Sequence, residues 1–208
     1  MAKTPLFIAF EGIDGSGKST QAKLLAAQFQ REGFPIYETF EPTKSDIGTI
    51  IRHILQGKRQ ADERTIAALF AADRLDHILN ADNGILKQLE LGLHVISDRY
   101  YFSSYAYHSV HMDMDWVIQT NAQSANSLRP HATIYIDVHP QTCMERIRQN
   151  RDSTELYETL DNLNRVRDNY EQAFLTLENV ENVIRIDGNR SVEVVAADVW
   201  HAVQNLLK

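Results

Sequence analysis

The sequence predicts a three-layer α/β/α fold, a doubly wound sheet of five parallel strands with helices on both faces. Three observations predict it. The chain opens on an apolar run, Leu6–Phe10, of the kind a strand buried on both faces uses. Four more strand-like segments follow, each set off by turn residues. Helical periodicity fills the intervals between them, and β and α segments alternating at this length imply right-handed crossovers between parallel neighbours.

Taken in order, Leu6–Phe10 is the first strand, and from Ser19 onward Ala22, Leu25, Ala26 and Phe29 recur at helical spacing. Gly33-Phe34-Pro35 breaks that helix, and Ile36–Phe40 reads as a second strand closed by the turn Glu41-Pro42-Thr43. Ser45 or Asp46 caps a helix running to Leu55. A long helix follows from about Asp62 to Asn80. Leu93–Ser97, Thr133–Asp137 and Val183–Asp187 are the remaining strands, and a last helix spans Val192–Leu207. No stretch rich in Pro, Gly or Ser divides the chain, so residues 1–208 are expected to form a single domain, and a hydrophobic content of 43% is enough for one good core.

Between the first strand and the first helix lies Gly12-Ile13-Asp14-Gly15-Ser16-Gly17-Lys18-Ser19, a G-x-x-x-x-G-K-S loop in the strand-to-helix context the motif requires. Glycines let successive backbone N–H groups turn inward around an anion, and the helix start adds its own unpaired N–H groups. Lys18 is then placed to reach the β- and γ-phosphates of a nucleotide, and the Ser19 hydroxyl to join a Mg²⁺ shell. The nucleotide loop therefore covers Gly12 to Thr20.

Ligands of doubly wound sheets sit at the carboxyl ends of the strands. That rule gathers Asp14, Glu41, Asp98, Arg99, Asp137 and Asp187 near one edge. Asp98, at the end of the third strand, can hold water in a metal shell, and Arg99 can clamp a phosphate; an Asp98–Arg99 ion pair backed by aromatics is the plainer alternative. Phe70 and Arg74, four apart on the long helix, suit a nucleobase or simply the edge of the core. Arg146, Arg148 and Arg151 concentrate charge after the fourth strand, either as a solvated helix face or as a lid, about residues 146–158, that brings cations onto a transferring phosphoryl group.

Composition narrows the partners. A net charge of −7 argues against nucleic acid or a membrane surface, which need a basic face, while local arginines can still bind a phosphorylated small molecule. One cysteine, Cys143, excludes an internal disulfide framework and makes a reducing cytoplasm the expected setting.

The ordered set of motifs resembles the thymidylate kinase family of nucleoside monophosphate kinases over nearly the whole chain: FEGIDGSGKST, the TFEPT turn at Thr39–Thr43, LFAADR at Leu69–Arg74, SDRYYFSSYAY at Ser97–Tyr107, LRPHATIYIDV at Leu128–Val138, and the late IDG at Ile186–Gly188. The resemblance implies a P-loop fold, the reaction of ATP with dTMP to give ADP and dTDP with Mg²⁺, and a homodimer packed through helices. By matching position it implies that Asp14 bonds the 3′-hydroxyl of dTMP, Phe70 stacks on thymine and Arg74 donates to its O4. It further implies that Arg99 holds the acceptor phosphate, Asp98 and Ser19 support the metal, and Ser103 and Ser104 line the base edge. Tyr107 would fill the space a ribose 2′-hydroxyl needs.

Two departures from the family pattern stand out. Phe40 occupies a position where many bacterial members carry arginine, which leaves Lys44 and Arg52 as the nearby cations for the acceptor site. The loop has no arginine between Asp14 and Gly17, so a catalytic cation is expected from the lid: Arg151 for the phosphoryl group, Arg148 beside the adenine, with Glu158 orienting one of them. The alternatives are a kinase for another deoxynucleotide such as dUMP, or a nucleotide-dependent switch; the chain has no NKxD-like guanine motif for the latter.

Overall fold

The computed structural model describes residues 4–150, 157 and 159–207. Its sheet contains β1 (Phe7–Glu11), β2 (Ile36–Phe40), β3 (His94–Asp98), β4 (Ala132–Asp137) and β5 (Val183–Asp187), all parallel, in the order β2-β3-β1-β4-β5. β1 is central, with Phe7 opposite Val95 and Ile8 opposite Ala132, and all five of its residues are buried. The two edge strands are only partly covered, which is why IYETF and VIRID mix polar and apolar residues while FIAFE is nearly all apolar.

Helices α1 (Lys18–Arg31) and α10 (Val192–Gln204) form one outer layer, joined through Phe29 and Trp200 at 5.8 Å between rings. The other layer is built on α5 (Tyr101–His108) and α9 (Leu160–Thr176), where Phe102 meets Phe174 at 4.9 Å and Tyr135 of β4 meets Tyr170 at 5.0 Å. Around them lie α2 (Asp46–Leu55), α3 (Glu63–Leu79), α4 (Ile85–Glu90), α6 (Met114–Thr120), α7 (Ala122–Ser127) and α8 (Pro140–Asn150). Ser45 caps α2, accepting from Gly48 N at 3.1 Å.

The strands and long helices fall within a few residues of expectation. β1 and β3 each reach one residue further than hydrophobicity suggests, because the ladder is a backbone structure and Phe10 still pairs with Asp98, and Glu11 with Tyr135. From β1 the chain goes to one side for β2 and β3 and to the other for β4 and β5. The topological switch therefore lies at the carboxyl end of β1, where the glycine loop begins.

Candidate active site

Two glycines of the loop cannot be replaced without moving backbone. Gly12 has φ +149°, and a β-carbon there would lie 2.8 Å from the Ile136 carbonyl oxygen. Gly15 has φ +81°, and a β-carbon there would lie 2.5 Å from the Cys143 carbonyl oxygen. The loop is thus pressed against β4 and α8, which fixes the course of its backbone. Lys18, 6% exposed, reaches back over the loop with Nζ 3.4 Å from both the Ile13 carbonyl oxygen and Asp14 Oδ1.

Asp14 is the hub of the cleft. Its carboxylate is ion-paired with the Arg99 guanidinium, and its backbone N–H donates to the Tyr107 hydroxyl at 2.9 Å. Burial would raise the Asp14 carboxyl, but Arg99 and Lys18 beside it override this and hold it far below the usual carboxylate range. Arg99 partners Asp14 and not its neighbour Asp98. It adopts φ +75°, a left-handed conformation costing a non-glycine residue about 1–3 kcal/mol. Its N–H donates to Phe10 at 2.9 Å, its carbonyl accepts from Ser97 Oγ at 2.8 Å, and Nη1 donates to Ser103 Oγ at 2.9 Å.

Behind this pair stands Glu11, fully buried. It accepts from Tyr100 N at 2.8 Å, Ser103 N at 3.1 Å, Ser103 Oγ at 2.6 Å and the Tyr170 hydroxyl at 2.8 Å. Burial pushes its carboxyl up, against the lowering by Ser103, Arg99 and Tyr170. Arg99, Ser103 and Glu11 therefore form one relay of hydrogen bonds from cleft to core, which ties the start of α5 to the end of β1.

The cleft has a volume of about 540 Å³. Phe70, Ser104, Tyr107 and His108 also line it, with Ser103 beside Arg99 and Tyr107 meeting the loop at Asp14. Arg74 is not on that wall. It is 1% exposed and bound within the protein: Nε donates to Glu41 at 2.9 Å, Nη2 to Tyr100 O at 3.2 Å, and Nη1 to Ser104 Oγ at 3.0 Å and to Asn121 Oδ1, with Nη2 also 2.6 Å from the Glu41 carboxylate in an ion pair. Phe40 is likewise outside the cleft, 41% exposed, with the Lys44 ammonium 5.8 Å from its ring centroid. Arg52 donates to the Pro42 and Thr43 carbonyls and to Thr49 Oγ1, bracing the turn after β2.

Of the acidic residues at the strand ends, only Asp14 and Asp98 line the cleft. Glu41 is spent on Arg74 and His77, and Asp137 on Arg167 at 3.0 and 3.2 Å. Asp187 accepts from Asn189 at the surface. Asp98 Oδ1 is enclosed with no hydrogen-bond partner, and Asp98 and Ser19 line the same cavity. A carboxylate with a spare lone pair beside a hydroxyl is a hard oxygen set that fits Mg²⁺.

On α8, Arg146 is the arginine that meets the loop, donating to Ser16 O at 3.3 Å and Gly188 O at 3.0 Å. Arg148 is exposed and does not line the cleft, while Arg151 and Glu158 lie outside the described residues. The helical repeat carried this signal: Cys143 and Ile147 are buried, Arg146 shares their face, and Arg148 points away. Glu11 and Asn121 had no comparable signal, since their importance comes from groups up to 159 residues away. Tyr157 also lines the cleft, its hydroxyl donating to Glu63 at 2.8 Å.

Comparison with known proteins places the sequence in a family. A sequence model of the family described as thymidylate kinase matches residues 10–199. The chain is 36% identical over 203 residues to a probable thymidylate kinase of Methanocaldococcus jannaschii, covering 97% of each. It is 35% identical over 198 residues to a putative thymidylate kinase of Treponema pallidum, covering 94% of this chain and 93% of the relative. To a probable thymidylate kinase of Pyrococcus horikoshii it is 40% identical over 170 residues, covering 79% and 80%. With a parallel sheet switched at the glycine loop, and a match that runs from β1 into α10, the chain belongs to the thymidylate kinase family.

Proposed function

We propose that this chain transfers the γ-phosphoryl group of ATP to the phosphate of dTMP, giving ADP and dTDP. The single observation that carries the proposal is Arg99, a second cation lining the cleft, which shares the Asp14 carboxylate with Lys18. It stands where a second phosphorylated ligand would meet the first. A switch module would need only the loop.

In this reading the loop N–H groups and Lys18 take the donor phosphates, and Arg99, braced by Ser103 and Asp14, takes the acceptor phosphate. The acceptor phosphate is an anionic nucleophile at neutral pH, so the site has no need of a general base and works by alignment and charge neutralisation. Asp98 and Ser19 would hold Mg²⁺, which when bound neutralises charge on the donor phosphates. Arg146 adds positive charge beside Ser16, and Arg148 and Arg151 are the further lid cations proposed from the sequence. The Asp14 carboxylate, fixed as an anion, would accept from the 3′-hydroxyl of the acceptor sugar, and the Tyr107 ring would exclude a ribose 2′-hydroxyl.

Phe70, on the cleft wall, would stack on the base. Two chains are proposed to pair through α3, where Ala68, Ala72 and Leu79 are exposed along one helical face; sedimentation of the protein at micromolar concentration, giving a dimer or a monomer mass, tests this. Among the described residues no helix is long and apolar enough to cross a membrane, and with Cys143 as the lone thiol a cytoplasmic setting is proposed. The activity is tested by ADP release with ATP and Mg²⁺ across dTMP, dUMP, ribosyl TMP, dCMP, dGMP, dAMP, AMP and thymidine. Turnover favouring dTMP is expected; ATP binding with no acceptor turned over would make the protein a switch.

A further inference from the structure

Arg99 carries a long, rotatable side chain into the cleft, and its backbone, pinned by Phe10 and Ser97, does not by itself aim the guanidinium. The Tyr107 ring lies 5.0 Å from the central carbon of that group, with the hydroxyl 3.5 Å from Nη2, at the long limit of a hydrogen bond. Asp14 pairs with Nη2, and Ser103 Oγ accepts from Nη1 at 2.9 Å. The rotation of the fork is therefore set from two sides, by a carboxylate and by a hydroxyl.

The two holds differ in what a ligand does to them. Asp14 belongs to the glycine loop, is shared with Lys18, and in the acceptor reading accepts from the sugar hydroxyl, so its hold on Arg99 changes as ligands arrive. Ser103 is tied to the core instead. It is 7% exposed, and behind it stands Glu11, which has no exposure at all.

The direction of the Ser103 hydroxyl follows from counting protons. Its oxygen lies 2.6 Å from Glu11 Oε2, 3.2 Å from the Tyr170 hydroxyl and 2.9 Å from Arg99 Nη1. A hydroxyl has a single proton to give, and a guanidinium can only donate, so toward Arg99 the serine must accept. Glu11 Oε1 accepts from the backbone N–H groups of Tyr100 and Ser103 at the start of α5, a helix with no side-chain cap of its own, and a carboxylate is the form favoured at a helix start. The serine proton thus goes to Oε2, the shortest of its contacts, and its lone pairs are left for the arginine.

Resting on the acceptor reading above, we propose that Ser103 is the positioning residue of Arg99: with its proton committed to Glu11, it holds Nη1 and keeps the guanidinium turned to the acceptor phosphate while Asp14 is engaged by ligands. Ser103 acts through Arg99, so its loss should be felt in acceptor turnover and not in donor binding.

The test measures kcat/KM for dTMP at saturating ATP, together with the ATP dissociation constant by calorimetry, in wild type, Ser103→Ala, Ser103→Thr, Arg99→Met and the Ser103→Ala/Arg99→Met double variant. Ser103→Ala is expected to lose about 10- to 100-fold in kcat/KM for dTMP, the range for a hydrogen bond to a charged group, with ATP affinity unchanged. Ser103→Thr, which keeps the hydroxyl, should stay within about threefold of wild type. In the Arg99→Met background, where the fork is gone, Ser103→Ala should cost less than about threefold more. Full additivity of the two losses, an equal fall in ATP affinity, or a Ser103→Ala protein as active as wild type would each overturn the inference. Should Ser103→Ala not fold, Ser103→Cys carries the same expectations and refutations, since it keeps a side chain there but offers only a weak acceptor. Arg99→Met with near-normal turnover would defeat the acceptor reading itself, a result distinct from an impaired Arg99→Met beside a silent Ser103→Ala.

Discussion

The Arg99 guanidinium lies on the Asp14 carboxylate, joining the turn after β3 to the middle of the phosphate loop across 85 residues of sequence. Each charge holds the other in the cleft, and Ser103 and Glu11 lock the arginine from behind. Arg99→Lys keeps the charge but loses the planar fork that meets Asp14 and Ser103 together. Its turnover should fall about 10²- to 10³-fold with an unchanged circular dichroism spectrum; near-normal turnover would remove Arg99 from the acceptor site.

Lys18 rests on Ile13 O and Asp14 at 3.4 Å, distances long enough for it to exchange these partners for phosphate oxygens. Lys18→Ala is expected to lower turnover at least about 10³-fold while leaving the fold intact. Steady-state kinetics alongside thermal melting would separate the two effects. A folded, active variant would refute the phosphate cradle.

Gly15 combines φ +81° with a β-carbon position 2.5 Å from the Cys143 carbonyl oxygen. Because backbone lies on both sides of the contact, Gly15→Ala must shift the loop away from α8. Loss of ATP binding, read by calorimetry, should accompany a destabilisation of about 1–3 kcal/mol in urea unfolding.

The buried His108 ring makes stability depend on pH. Its folded pKa lies at about 3 against a reference of 6.5, so between these values the unfolded chain binds a proton that the folded chain does not. Stability from this group is complete above pH 6.5 and falls as pH drops, by about 1.4 kcal/mol per unit. At pH 5 the wild type should therefore have lost about 2 kcal/mol relative to His108→Gln, measured as the change in their difference between pH 7 and pH 5 by urea unfolding. Parallel curves for the two proteins would show that the ring is not held neutral.

The sequence already brought the glycine loop and the end of β3 together, and both line the cleft. Gly12 to Ser19 announce an anion loop through residues that only a tight inward-facing turn requires, and Asp98-Arg99 announce themselves by following a strand. Phe70 and Arg74 show where this fails. Helical spacing puts them on neighbouring turns, yet Phe70 lines the cleft and Arg74 turns inward to Glu41. Spacing along a helix says which residues are near each other, and only the packing of β2, α5 and α7 around α3 says what each faces.

By itself, then, the sequence determined the parallel sheet, the glycine turn after β1 and the family, since strand hydrophobicity, glycine geometry and motif order are properties of contiguous residues. Tertiary structure alone decided that Arg99 pairs with Asp14 and not Asp98, that Glu11 anchors α5, that Arg146 and not Arg148 meets the loop, and that Arg74 turns inward to Glu41 and Asn121. Each of these depends on which groups from distant segments are left to share a buried hydrogen-bonding space. Donors and acceptors there are few, and each bond formed removes a partner from the next.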